Sequence, residues 1–283
     1  MKQGPLVGFH VSISGSLDLA VDRAQEMGCT TFQIFTRNPR GWAFKPLDEE
    51  QARLFREKRR KAGYEKVVAH MPYLPNLAAS LKPYQKKSRA SLTAEMERCE
   101  TLGVDYVVAH IGSHMGKGTM EGVKNVVGAC NEALAANPGK TTLLVETMAG
   151  QNHSVGSRFE ELRLILDGVK ESERMGICFD TCHVFAAGFD LSSKPAVERT
   201  MGMFEDVVGK KRLKVVHLND SKGPCGSGLD RHEYVGHGEI GEKGFSALLH
   251  YGDVAKLPLI MEVPVEDKTE YDANLRMARR LLG

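Results

Sequence analysis

The chain holds one tryptophan, and its formal net charge is only +2 over 283 residues. No global basic excess therefore announces nucleic acid, and any such contact would need a local cause. No run of about 18 apolar residues is present, which excludes an evident membrane-spanning helix. The start, Met1-Lys2-Gln3-Gly4-Pro5, lacks the apolar stretch of a secretion signal. The six cysteines (Cys29, Cys99, Cys130, Cys178, Cys182 and Cys225) follow no framework spacing in a chain too large to need staples. They read as reduced core residues of an intracellular, cytoplasmic protein. There is no HExxH helix, Gly-x-Ser-x-Gly elbow or Walker loop, so three common chemistries have no support.

What is present is a row of short apolar runs, each ending in a residue able to bind metal. Val67-Val68-Ala69 stops at His70, Tyr106 to Ala109 at His110, and Thr142 to Val145 at Glu146. Val215-Val216 stops at His217, Leu259-Ile260-Met261 at Glu262, and Ile177-Cys178-Phe179 at Asp180, with His183 close behind. These runs have the length and composition of buried strands. Leaving a polar group unpaired there costs roughly 1–3 kcal/mol. One such ending is an accident; six imply that the ends converge.

Further strand ends are expected near His10 and Phe35. Amphipathic patterns lie between the strands, as at Leu92, Met96 and Cys99 before Gly103, and Leu162, Ile165, Leu166 and Val169. Strand–helix alternation repeated eight times predicts one (β/α)8 barrel domain over residues 1–283, with its site at the C-terminal strand ends. The rival, a doubly wound open sheet, would not gather every strand end at one centre. Three longer connections belong on that face. Thr36–Leu47 carries Arg37, Arg40 and Trp42. Met71–Ser88 carries Tyr73 and Leu74. The glycine-rich stretch Asn219–Gly241 carries Asp230 and His232.

A lone histidine at a strand end is usually a satisfied polar residue, and His114, His153, His237 and His250 read that way. The larger set differs. His70, His110, His183, His217 and His232 with Glu146, Asp180, Asp230 and Glu262 are too many for one ion. Zinc prefers such donors, and manganese or iron would accept them. Three tetrahedral ions take about twelve bonds, which one bridging carboxylate and one bridging hydroxide complete. Three dications would add six charges to the formal +2, an attractive mouth for phosphate. Displacement at phosphorus is the chemistry best suited to such a site. A Cys178–Cys182 zinc pair is a minor alternative, since a strand would turn Cys178 away from its neighbours.

Cys178-Phe179-Asp180-Thr181-Cys182-His183-Val184-Phe185-Ala186-Ala187-Gly188 resembles a signature of endonuclease IV, the zinc-dependent abasic-site endonucleases. So do Leu218-Asn219-Asp220-Ser221-Lys222, Asp230-Arg231-His232 and His110-Ile111-Gly112-Ser113-His114. The resemblance implies a TIM barrel and three Zn2+ per chain. His70, His110 and Glu146 would hold the first ion. Asp180, His217 and Glu262 would hold the second, bridged by Glu146. His183, Asp230 and His232 would hold the third. Glu146 and Glu262 then flank the bridging hydroxide and count as catalytic. The implied substrate is double-stranded DNA with an abasic site, cut on its 5′ side by a monomer that needs neither membrane nor protein partner. Trimming of blocked 3′ ends is implied as well. Arg40, Tyr73 and Leu74 would enter the DNA, while Arg37 and Lys222, with Lys82, Lys86 and Lys87, are candidate phosphate contacts. Gln151-Asn152 and Val263-Pro264-Val265 depart from the family's usual residues. Two other readings are a two-metal sugar isomerase of the xylose-isomerase type and a damaged-DNA binder without catalysis.

Overall fold

The structure, a computed structural model, describes residues 4–43, 45–263 and 268–283. Pro264 and Val265, where the second departure falls, lie outside the described residues. Eight parallel strands close a barrel: β1 (Val7–Val11), β2 (Phe32–Phe35), β3 (Val67–His70), β4 (Tyr106–Ala109), β5 (Thr142–Glu146), β6 (Met175–Asp180), β7 (Leu213–His217) and β8 (Leu259–Met261). Each strand pairs with its neighbours in sequence, and β8 closes on β1 through Val7–Leu259 and Phe9–Met261. This is the TIM barrel that the strand–helix period predicts. The helices are α1 (Leu19–Glu26), α2 (Glu49–Ala62), α3 (Lys82–Leu102), α4 (Thr119–Ala136), α5 (Phe159–Gly168), α6 (Thr181–Ala186), α7 (Lys194–Val207), α8 (Gly241–Leu249) and α9 (Lys268–Leu282). Among the described residues no helix is long and apolar enough to cross a membrane.

Local chemistry sets the ends of these helices. The Asp48 side chain accepts from the Gln51 amide at 2.8 Å and opens α2, with Glu49 and Glu50 in the first turn. Arg59, Arg60 and Lys61 lie in the last turn, and Gly63 ends the helix at φ 78°. The outer core packs helices on the barrel through residues such as Phe9, Phe32, Phe55, Phe179, Phe204 and Phe245.

Inside the barrel, Val68, Val108, Leu144, Cys178, Val215 and Ile260 form a buried apolar layer. Side chains two residues apart on a strand share a face. Two residues beyond each of these six stand His70, His110, Glu146, Asp180, His217 and Glu262. The polar site is thus the next storey above an apolar plug, which is the physical content of the repeated apolar-then-polar ending. Cys178 corrects one expectation, because it faces the barrel interior beneath these groups. Cys225 corrects another, being exposed where the other five cysteines are buried.

Candidate metal centre

Glu146 sits at the centre, fully buried at the end of β5. Its Oε2 lies 3.1 Å from His70 Nε2 and 3.0 Å from His110 Nε2. Its Oε1 lies 2.9 Å from His217 Nδ1. The same His217 nitrogen lies 3.1 Å from Glu262 and 3.8 Å from Asp180. Beside this cluster, His183 Nε2 is 3.1 Å from Asp230 Oδ1, and His232 Nε2 is 3.4 Å from the same oxygen. Among the described residues, three groups without a thiol have candidate ligand atoms within 4.8 Å of one another. They are His70–His110–Glu146, Glu146–Asp180–His217–Glu262 and His183–Asp230–His232.

Neighbouring groups fix which ring nitrogen faces inward. His70 Nδ1–H donates to the Met71 carbonyl at 2.6 Å, and His183 Nδ1–H to the Thr147 carbonyl at 2.9 Å, leaving Nε2 for the centre in both. His217 is reversed. Its Nε2–H donates to Gln33 Oε1 at 2.9 Å, so Nδ1 faces the carboxylates. The Gln33 amide nitrogen donates to Glu262 Oε1 at 2.6 Å and to His10 Nδ1 at 2.9 Å. Asn219 donates to Asp180 Oδ2 at 2.7 Å and accepts from the Glu262 amide at 2.8 Å. Gln33 and Asn219 are the residues that strand-end reasoning misses. Gln33 carried the same signal as the others, a polar residue within the buried run Phe32-Gln33-Ile34-Phe35.

Charges in this cluster hold one another. Burial opposes ionisation of Glu146, yet His110 and His217 keep it well below the usual carboxylate value. Burial likewise opposes ionisation of Glu262, and His217 and His10 keep it low. Partial burial opposes ionisation of half-buried Asp230 too, but His183 draws it down to about 2. On the other side, burial opposes protonation of His217, and Cys178, Glu262 and Glu146 raise it well above the usual imidazole value. His183 is raised against its burial by Asp180, Asp230 and Glu146. Imidazolium–carboxylate pairs of this kind occupy positions that a cation can take over with release of protons. The donor set fits divalent ions on a further ground. His232 Nε2 is buried with no hydrogen-bond partner among the described residues, and it faces the Asp230 and Asp180 carboxylates. Cys178 falls with Glu146 and His217, and Cys182 with Asp180 and His232, so the two thiols do not share a group. Burial pushes both thiols up to about 12, the reverse of what thiolate ligation favours.

The rim carries the remaining candidates. Tyr73 is 59 % exposed and Leu74 40 % exposed, and the Tyr73 ring lies 5.6 Å from His70 and 5.8 Å from His110. Arg40 is exposed, and Lys222 stands 3.9 Å from Glu233. Lys82, Lys86 and Lys87 lie in the first turns of α3. Arg37 is corrected by its surroundings. It is buried, 3.1 Å from Glu95, and it donates to Ser91 at 2.6 Å, so its guanidinium braces the loop from within instead of facing a phosphate. His114 accepts from the Gly118 amide at 2.9 Å, a loop fastening outside the three groups.

A family model described as xylose isomerase-like TIM barrel matches residues 21–281. A protein of Methanoculleus marisnigri named probable endonuclease 4 is 49 % identical, over 98 % of this chain and 99 % of its own length. One of the same name from Methanosphaerula palustris is 48 % identical, over 97 % of each. The crystal structure of endonuclease IV from Thermus thermophilus superposes with a TM-score of 0.88 at 36 % identity, covering 98 % of this chain and 99 % of that one.

Proposed function

Since the chain belongs to the endonuclease IV family of xylose isomerase-like TIM barrels, we propose that it is a metal-dependent DNA-repair endonuclease. It hydrolyses the phosphodiester 5′ to an abasic site, leaving a 3′-hydroxyl and a 5′-deoxyribose phosphate, and it trims blocked 3′ ends. The observation that carries this reading is the two-sided Glu146 carboxylate, with His70 and His110 on one oxygen and His217 on the other.

His70, His110 and Glu146 hold one Zn2+. Glu146, Asp180, His217 and Glu262 hold a second, and His183, Asp230 and His232 a third. Bound there, the ions supply ionised water near neutral pH and positive charge for the departing alkoxide. This chain's residues do the rest. Gln33 and Asn219 fix the Glu262 carboxylate in place. The layer from Val68 to Ile260 closes the barrel below the site against water. Tyr73 and Leu74 stand beside the centre, where an abasic nucleotide, having lost its stacking and pairing, turns out at low cost. Their exposed apolar surface fills the gap left in the duplex, with Arg40 beside them. Lys222 contacts a phosphate. The enzyme works in the cytoplasm as a monomer. A two-metal sugar isomerase would have no use for the group of His183, Asp230 and His232.

The test joins metal content to cleavage. Protein purified without chelator should carry close to three zincs per chain by mass spectrometry. It should nick a duplex containing one tetrahydrofuran abasic analogue on the 5′ side, and lose that activity when stripped. The analogue cannot β-eliminate, so any cut is hydrolytic. One or two metals and no nick would sink the reading.

A further inference from the structure

Asp220 is fully buried, and the three groups above leave it out. Its carboxylate is surrounded by backbone. Oδ1 accepts from the amides of Ser221 at 2.8 Å and Ile240 at 2.9 Å. Oδ2 accepts from Gly238 at 2.8 Å and Gly241 at 3.2 Å. Three of these four donors lie 18 to 21 residues further along the chain. The carboxylate therefore ties the exit of β7 to the start of α8, and everything between is a closed loop. That loop bears Asp230 and His232. His232 pairs with Ser221 and Glu233 with Asp220 in a short antiparallel ladder, and the Lys222 amide donates to the Arg231 carbonyl at 3.0 Å. Gly238 is required by the same closure, because a Cβ there would meet the Ser221 carbonyl oxygen at 2.4 Å and Asp220 Oδ1 at 2.7 Å. The far side of the loop is fastened differently, by Gly226 and Gly228 amides donating to Phe185 and Ala186 of α6.

We propose that Asp220 is a positioning residue for the third ion: its carboxylate closes the loop at the base and so presents Asp230 and His232 to His183. The inference rests on the three-ion reading above, but it concerns how one of the three groups is built. Four converging amides are a strong anion cradle, and here the anion is the protein's own. Removing it cuts the tie to the start of α8 and leaves the loop to its α6 side, its own ladder and the Val235 amide on Asn274, so that the ladder carrying His232 loses the anchor at its base. A displacement of about 1 Å is enough to spoil a metal site whose other ligands are fixed.

The metal-free protein and the variants Asp220→Asn and Gly238→Ala are titrated with zinc under native mass spectrometry. Hydrogen exchange of residues 222–238 is followed in the metal-free state. The parent should take three zincs. Each variant should take two with unchanged affinity and the third at least tenfold more weakly, and its loop should exchange at least tenfold faster. A merely structural loss would weaken all three ions together. Turnover of Asp220→Asn should recover in excess zinc. The proposal is overturned if both variants bind a third zinc within twofold of the parent with unchanged loop exchange. Should the parent itself take only two ions, the three-ion reading fails and loop exchange alone decides the role of Asp220. Should neither variant fold, the parent decides it. The Gly238, Ile240 and Gly241 amides should exchange together with the His232–Glu233 ladder, and independent rates would refute the clasp.

Discussion

Gln33 touches His217, Glu262 and His10 at once, and none of these contacts is with a neighbour in sequence. Outer partners of this kind set ring orientation and ligand basicity, and their loss typically weakens metal affinity about 10–100-fold. Gln33→Leu keeps the volume but drops both hydrogen-bonding ends, so the second ion should weaken by that order while the third is untouched. Zinc titration by native mass spectrometry reads this, and equal weakening of all sites would contradict it. The titrating groups make a second prediction. His217 and His183 are raised well above 6.5 in the metal-free protein. Their contribution to stability is complete below about 6.5 and is lost as pH rises through the folded values. Glu146 and Glu262 are lowered well below 4.5. Their contribution is present above about 4.5 and is lost as pH falls through the folded values. Metal-free protein should therefore melt highest between about pH 4.5 and 6.5 and less well toward pH 9. The Tm gained on adding zinc should grow over that upper range, because ligands must shed protons to bind. A zinc increment that stays flat from about pH 6 to 9 would refute the pairing of imidazolium with carboxylate.

The loop after β3 shows what an element adds to its residues. Tyr73 and Leu74 are exposed, but Asn76, shortly after them, is latched. Its side chain exchanges two hydrogen bonds with the Ser113 backbone, both at 3.0 Å, and its amide donates to Ser88 of α3 at 2.9 Å. The latch works because Gly112 lies against it at φ 91°, where a Cβ would meet Asn76 Oδ1 at 2.3 Å. Gly112→Ala should cost on the order of 1–3 kcal/mol, from strained backbone and the displaced latch. It should lower affinity for an abasic duplex while zinc content stays whole. Denaturant melts, metal counts and fluorescence anisotropy check this, and parent-like DNA affinity would show that the loop does not depend on the latch. The sequence made the eight strand ends legible, because apolar periodicity and polar endings are local signals, whereas Tyr73 and Leu74 were singled out by the resemblance to endonuclease IV. It hid the latch, the Asp220 clasp and the burial of Arg37, because their partners stand far away in sequence. Glu95, which takes the charge of Arg37, is 58 residues distant. The direction of Cys178 was missed for a narrower reason: residues 178 and 180 share a face of β6, so the thiol follows Asp180 inward.

At the scale of the whole molecule the question is where a chain of formal charge +2 finds affinity for DNA. Two sources differ in kind. Arg40, Lys82, Lys86, Lys87, Lys222 and Arg231 lie along the rim and its loops, and cations of this sort bind any duplex, each phosphate contact adding about 0.9 to the salt slope. The centre itself holds four carboxylates, Glu146, Asp180, Asp230 and Glu262. Without ions they are only partly offset by protonated histidines; three dications would make the same mouth positive. On the proposed reading the ions would therefore act only on a phosphate that reaches the barrel mouth, which an abasic nucleotide turned out of the helix would allow and a stacked one would not. Chelator-stripped protein should accordingly bind an abasic duplex at least tenfold more weakly than loaded protein, with a salt slope lower by about 1. Its binding to an undamaged duplex should change by less than about twofold. Anisotropy titrations at several salt concentrations, on a non-cleavable abasic analogue and its intact counterpart, separate the two sources. An equal loss on both duplexes would place general DNA affinity in the metal centre and leave the rim cations with little part in it.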